Sequence, residues 1–188
     1  YNRLKGKDTF FLTGMDEHGQ KVEETAKKHN ISPQKYVEQM AQQTSNVWKM
    51  LQISNDDFIR TSEVRHTRQV QLIFEQLLAS NDIYLSEYEG DYCVPCESFI
   101  TKSKQQSDGN CPDCGRPTVK LKEEGYFLRL SKYQDRLLSF IKENPDFIQP
   151  ETRKNEVVSF IESGLEDLSV SRTSFDWGIH VNSNHKHV

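Results

Sequence analysis

Four cysteines fall in one pattern: Cys93-Val94-Pro95-Cys96, a gap of fourteen residues, then Cys111-Pro112-Asp113-Cys114. Each two-residue spacer lets its pair wrap a metal ion in a tight turn whose backbone amides donate to the sulfurs. Pro95 and Pro112 stiffen these turns, and Gly115 permits the positive φ that often follows the second ligand. Four thiolates at ~2.3 Å form a closed, tetrahedral zinc site, which braces a fold and activates no water. The alternatives are two disulfides or four free thiols. No basic and apolar leader supports a secreted chain, and no cysteine is left outside the pattern. The zinc reading implies a reducing, cytoplasmic-type compartment.

A second candidate is the turn Gly14-Met15-Asp16-Glu17-His18-Gly19-Gln20, between a short apolar run and a helix. Ligands of open α/β sheets bind at the carboxyl ends of strands. There Asp16 could neutralise an ammonium group and His18 could donate hydrogen bonds. Glu17 is read as helix-start chemistry, where an acid meets the positive end of the helix dipole. An ordinary solvated turn is the alternative.

The elements that would position these residues follow from periodicity. Thr9–Thr13 (TFFLT) predicts a buried strand stopped by Gly14. A helix follows from about Gln20 to His29. Ser32-Pro33 opens a second helix, with Ser at the cap and Pro in the first turn. It runs to about Leu51, its apolar side carrying Tyr36, Val37, Met40, Val47 and Trp48. Asp57–Thr61 (DFIRT) reads as another strand. Glu63–Ser80 is a helix whose Val70, Ile73, Phe74, Leu77 and Leu78 mark one buried face. The texture changes at Ile83. Ile83–Tyr92 alternates around a Glu-Gly pair and predicts a β-hairpin or meander. Val119–Leu130 reads as strand, Ser131 onward as helix, and Glu151–Ser163 as a last helix ended by Gly164. Short extended pieces at Val170–Arg172 and Ile179–Val181 flank Ser174–Gly178. Strand, helices, strand, helix at the start suggest an α/β layer.

Composition bounds the function. Among 188 residues, Leu, Ile, Val and Phe number 46, above the ~20% level that signals disorder. A net charge of −4 argues against a dedicated nucleic-acid-coating module. No apolar run approaches the ~18 residues of a transmembrane helix. Tyr1–Lys5 reads as a helix end closed by Gly6, so an internal piece of a longer polypeptide is expected.

The run Phe10–Lys21 (FFLTGMDEHGQK) resembles the GTDEHGQK block of the methionyl-tRNA synthetase family. The resemblance continues through Asp56–Thr61, Ile83–Leu85, Glu87–Gly90, the cysteine knuckle, Leu130–Leu138 and Asn144–Pro150. It ends with Gly164-Leu165 and Ser169–Gly178 (SVSRTSFDWG). As an ordered set covering essentially the whole chain, these blocks are highly specific.

The resemblance implies a class I synthetase: an α/β, Rossmann-like nucleotide-binding core with an inserted, zinc-binding α+β connective-peptide domain. Residues 1–82 would be the first part of the core, 83–165 the insertion with its zinc knuckle, and 166–188 the return into the core. The implied partners are methionine, ATP (with Mg2+) and tRNA(Met), with no membrane and no DNA. The implied location is the cytoplasm or an organellar matrix. By resemblance Asp16 holds the methionine ammonium group, and Arg172 lies near the substrate carboxylate and the rim of the site. An ordinary ion pair is the alternative for Arg172. Trp177 reads as core packing, and His29 and His66 as helix-surface residues. The family usually has Thr where this chain has Met15, and Pro where it has Asn182. The family's HIGH motif is expected before Tyr1 and its KMSKS loop after Val188, so the isolated chain is expected to be inactive. Two competing readings are a non-catalytic zinc-ribbon interaction module and another class I aminoacyl-tRNA synthetase. The second would need a larger insertion to hold an editing site.

Overall fold

The amino-terminal elements build a parallel strand pair with two helices in the crossover. A computed structural model of the chain describes residues 1–96, 98–100 and 109–188. Strand β1 (Leu12–Met15) pairs in parallel with β2 (Asp57–Arg60), in the register Leu12 to Asp57 through Met15 to Arg60. Helices α1 (Gln20–Lys28) and α2 (Pro33–Met50) connect them, and Ala26, Val37 and Ala41 are their buried residues. Ser32 caps α2 as its sequence predicts, accepting the Lys35 N–H at 3.2 Å. The Trp48 indole donates to the Thr13 hydroxyl at 3.2 Å and ties α2 to β1.

The first strand lies three residues later than the apolar run suggests, and Gly14 is inside it. A Cβ at Gly14 would lie 2.2 Å from the Ile59 carbonyl oxygen, so the glycine permits the close parallel pairing rather than ending it. The run is not buried either. Phe10 is 71% exposed, because β2 is the one neighbour of β1 among the described residues.

Helix α3 (Val64–Ala79) leads to a four-stranded antiparallel sheet in the order β4-β3-β5-β6. Its strands are β3 (Ile83–Cys93), β4 (Ser98–Phe99), β5 (Val119–Leu128) and β6 (Leu168–Ser169). Phe74, Leu77 and Leu78 of α3 pack with Leu128 on a core of Ile83, Tyr126 and Val181. Val70 and Ile73, predicted on the same buried face, are partly exposed at its edge. The Glu89-Gly90 pair is not a turn. β3 runs straight through it, paired with β5 from Ile83–Leu128 to Tyr92–Val119. A Cβ on Gly90 would meet the Tyr88 ring at 2.5 Å, so this glycine makes room for an aromatic side chain within a strand.

After a 3-10 turn at Leu130–Tyr133, α4 (Gln134–Glu143) and α5 (Glu151–Glu162) enclose a second core of Ile141, Ile161 and Leu165. Gly164 follows α5 at φ +103, where an L side chain would be strained. The chain then returns past both layers. Leu168–Ser169 extends the sheet, and the Val170 N–H reaches the Tyr126 carbonyl at 2.8 Å. This edge strand lies two residues before the extended piece that the sequence predicts at Val170–Arg172. No helix among the described residues is long and apolar enough to cross a membrane.

Gly14→Ala is expected to cost about 2 kcal/mol or more, the upper range of overpacking penalties. Thermal unfolding of the protein would show it as a lowered Tm. An unchanged Tm would contradict the close β1–β2 approach.

Candidate substrate cleft and metal centre

The turn after β1 is built on a buried ion pair. Glu17 has a fully buried side chain, and its Oε1 accepts from Arg60 Nε at 2.7 Å. Its Oε2 accepts the Ser62 hydroxyl, and its backbone N–H donates to the Thr61 hydroxyl at 2.9 Å. Glu17 therefore does not start a helix. α1 begins at Gln20 behind Gly19, and Glu23 is the acid in its first turn. The sequence carried a signal for the real role: parallel pairing sets an acid after β1 beside the Arg that ends β2. A buried charge is tolerable only with such partners.

Asp16 stands on this base and is exposed. It faces an open cleft of about 320 Å³ whose lining includes His18, Phe74, Phe175, Trp177 and Ile179. Burial lowers the His18 pKa, against the charges of Asp16 and Glu17, which raise it. The imidazole is therefore neutral at pH 7. His18 packs on Trp177 with ring centroids 5.5 Å apart. The chemistry on offer is an exposed carboxylate, unpaired among the described residues, beside apolar and aromatic walls. That suits a small cation carrying an apolar side chain.

Trp177 packs and also lines the cleft. Its indole N–H donates to the Glu17 carbonyl at 2.6 Å, and its own carbonyl accepts the Gly19 N–H at 3.2 Å. Glu23 Oε2 accepts the N–H groups of Asp176 and Trp177 at 3.0 and 3.1 Å.

Arg172 borders the neighbouring pocket, which shares Gly19, Val170, Phe175 and Val188 with the Asp16 cleft. Its guanidinium rests 4.2 Å from the Tyr92 ring centroid and 5.2 Å from that of Phe99. Its Nε and Nη2 are each 3.0 Å from Glu123 Oε2. The pocket, of about 470 Å³, is also lined by Tyr88, Phe127 and Glu166, and Arg172 is absent from the lining of the Asp16 cleft. Glu123 escaped the sequence reading, which had no cue that β5 would pass beside the returning chain. His66 is half-buried rather than on the surface, and its Nδ1 has no partner among the described residues. His29 stacks on Tyr36 at 6.0 Å.

The four cysteines converge. Their Sγ atoms all lie within 4.8 Å of one another, with Cys93–Cys114 at 3.5 Å and Cys96–Cys111 at 3.9 Å. A tetrahedron with ~2.3 Å metal–sulfur bonds has edges of about 3.8 Å, so the cluster fits a four-coordinate ion. Cys93 and Cys111 are buried, Cys96 and Cys114 exposed. The Gly115 N–H closes the second turn on the Cys111 carbonyl at 2.8 Å, with Gly115 at φ +70. The Arg116 N–H holds the Cys114 thiol down at about 7, whereas the neighbouring Cys114 and Cys93 sulfurs push Cys96 up to about 12. Without a cation, four thiols this close cannot ionise together.

A family model described as tRNA synthetases class I (M) matches residues 1–120 and 114–188. The methionine–tRNA ligase of Clostridium tetani is 54% identical over 189 residues, covering all of this chain and 29% of that protein. The Bacillus subtilis methionine–tRNA ligase is 52% identical over 199 residues, covering all of this chain and 30% of that protein. The chain thus spans less than a third of the length of these curated relatives. Among solved structures, Mycobacterium tuberculosis methionyl-tRNA synthetase bound by methionyl-adenylate matches with a TM-score of 0.91 at 42% identity. That match covers all of this chain and 38% of the other. The free-state structure of the same synthetase matches 81% of this chain and 32% of its own, with a TM-score of 0.69.

Burial raises the Glu123 pKa, but the Thr173 N–H, the Arg172 charge, the Thr173 hydroxyl and the Ser174 N–H outweigh it. The group sits below its usual 4.5. A carboxylate held low in the folded state stabilises fully above the unfolded value. That stability is lost as pH falls through the folded value. Tm should therefore fall as pH drops below about 4.5, and Glu123→Gln should flatten the fall. Parallel Tm-against-pH curves for the two proteins would contradict this.

Proposed function

The chain belongs to the tRNA synthetases class I (M), and from that membership we propose that it forms part of a methionine–tRNA ligase. The ligase joins the methionine carboxylate to the α-phosphate of ATP with loss of pyrophosphate. It then passes the methionyl group to a terminal hydroxyl of tRNA(Met), releasing AMP. We place the reaction in the cytoplasm or an organellar matrix.

One observation carries the reading: Asp16 is an exposed carboxylate at the carboxyl end of β1, set on an immobilised turn against apolar walls. An ammonium held at Asp16 leaves the substrate's apolar side chain to the wall of Phe74, Trp177 and Ile179. Fixing the ammonium turns the carboxylate toward its partner and removes orientational freedom from the reacting pair. Neutral His18 can donate a hydrogen bond without adding a charge that would repel the ammonium. Arg172, engaged by Glu123 and the aromatic rings, serves the site by holding the segment that carries Trp177.

Cys93, Cys96, Cys111 and Cys114 would hold one structural Zn2+, supplying a cross-link rather than a Lewis acid. We assign residues 83–165 to the inserted domain that it braces, flanked by core residues 1–82 and 166–188. The sheet of that domain takes β6 from the returning chain as its fourth strand.

In the full-length ligase, Asp16→Asn should raise the KM for methionine about 10- to 100-fold, the worth of one charge-assisted hydrogen bond. The KM for ATP should not move. Methionine-dependent exchange of pyrophosphate into ATP measures both, and an unchanged methionine KM would overturn the assignment. Metal analysis should find about one zinc per chain, as four thiolates complete one site. Stripping zinc should release the amides of Ile83–Leu128 to fast hydrogen exchange. Undiminished protection there would refute the structural role.

A further inference from the structure

Two carboxylates from different layers converge on one short segment. Glu123, in the middle of β5, has a side chain only 7% exposed. Its Oε1 accepts the Ser174 N–H at 2.8 Å, the Thr173 hydroxyl at 3.0 Å and the Thr173 N–H. Its Oε2 takes the Arg172 guanidinium. Glu23, in the first turn of α1, accepts the N–H groups of Asp176 and Trp177, one residue further on. The Arg172 N–H is bonded to the Val188 carbonyl at 2.8 Å. Residues 172–177 form no helix and no strand, yet five of their six N–H groups are held, four of them by carboxylates.

A chain that only needed to pass this point would not require it. Burying a carboxylate is costly, and the cost is offset only by donors fixed in place. What the fixation delivers is the side-chain pair on the clamped segment. Phe175 and Trp177 both line the cleft with Asp16, and Phe175 sits between the Glu123 clamp and the Glu23 clamp.

We propose that Glu123 is a positioning residue for the amino-acid cleft, acting through segment 172–177 to fix the aromatic residues that line it with Asp16. The proposal rests on the ligase reading and extends it to a residue outside the cleft. Glu123 touches no substrate, so its loss should weaken substrate binding in this cleft and leave ATP binding alone. Glutamine keeps the shape but turns an amide –NH2 toward one set of donors, leaving N–H groups unpaired.

The test is methionine-dependent pyrophosphate exchange by the full-length enzyme. Glu123→Gln should raise the methionine KM about 10-fold or more, with the ATP KM unchanged and kcat little altered, the pattern of lost binding. Thr173→Val removes one hydroxyl from the same carboxylate and should raise the methionine KM about 3-fold, the worth of one ordinary hydrogen bond. It carries the test if Glu123→Gln does not fold. Glu87→Gln, on an exposed pair with Lys122 in the same sheet, should behave as the parent protein. A parental methionine KM in Thr173→Val and in any folded Glu123→Gln overturns the proposal. A fall in kcat with both KM values unchanged also overturns it. If the unaltered enzyme shows no methionine-dependent exchange at all, the ligase reading fails and the proposal falls with it.

Discussion

A carboxylate that accepts several hydrogen bonds cannot shift without leaving its donors bare, and three such groups, buried Glu17 and Glu123 and half-buried Glu23, grip the turn after β1 and the returning segment. Glu17 binds Arg60 and Ser62 under the first turn. Glu23 and Glu123 grip the returning segment from the helical layer and from the sheet. Each contact is worth about 1.5–3 kcal/mol when charged. The larger effect is the penalty for breaking one partner away, which makes the geometry close to all-or-none.

The apolar cores alone would not produce this result. Among the described residues they are separate and small: one of Ile83, Tyr126 and Val181, one of Ile141, Ile161 and Leu165, and one around the buried cysteines. The parallel pair β1–β2 and the four-stranded sheet share no strand. Residues 171–188 cross between them. Val181 enters the α3 core, and buried His187 stands edge-on to Tyr126 at 4.9 Å with Nδ1 3.1 Å from the Ser171 hydroxyl. The cleft beside Asp16 is therefore a joint, lined by α3 and by the returning segment.

What the sequence could reveal was what is encoded locally. The spacing within each cysteine pair, the Ser32 cap and the positive-φ Gly115 involve residues a few positions apart, and the structure holds each of them; the periodicity of α3 holds in part, since Phe74, Leu77 and Leu78 pack on the core while Val70 and Ile73 stay exposed. The two misread glycines are local signals whose meaning is set elsewhere. Gly14 looks like a strand end until Ile59 arrives against it, and Gly90 looks like a turn until β5 pairs across it. The carboxylate clamps were illegible because their partners are remote. Arg60 is 43 residues from Glu17, and the indole of Trp177 is 160 residues from the carbonyl it meets. The position of Asp16 directly after β1 was visible in the sequence, whereas the placement of Arg172 depended on Glu123 and on rings brought by the sheet.

Residue-resolved hydrogen exchange across 172–178 in the intact protein reads the carboxylate clamps without substrate or turnover. Held by Glu123 and Glu23, the Thr173, Ser174, Asp176 and Trp177 amides should exchange as slowly as those of β5, although the segment has no regular structure. Exchange of these four amides at the rate of an open loop would contradict that fixation.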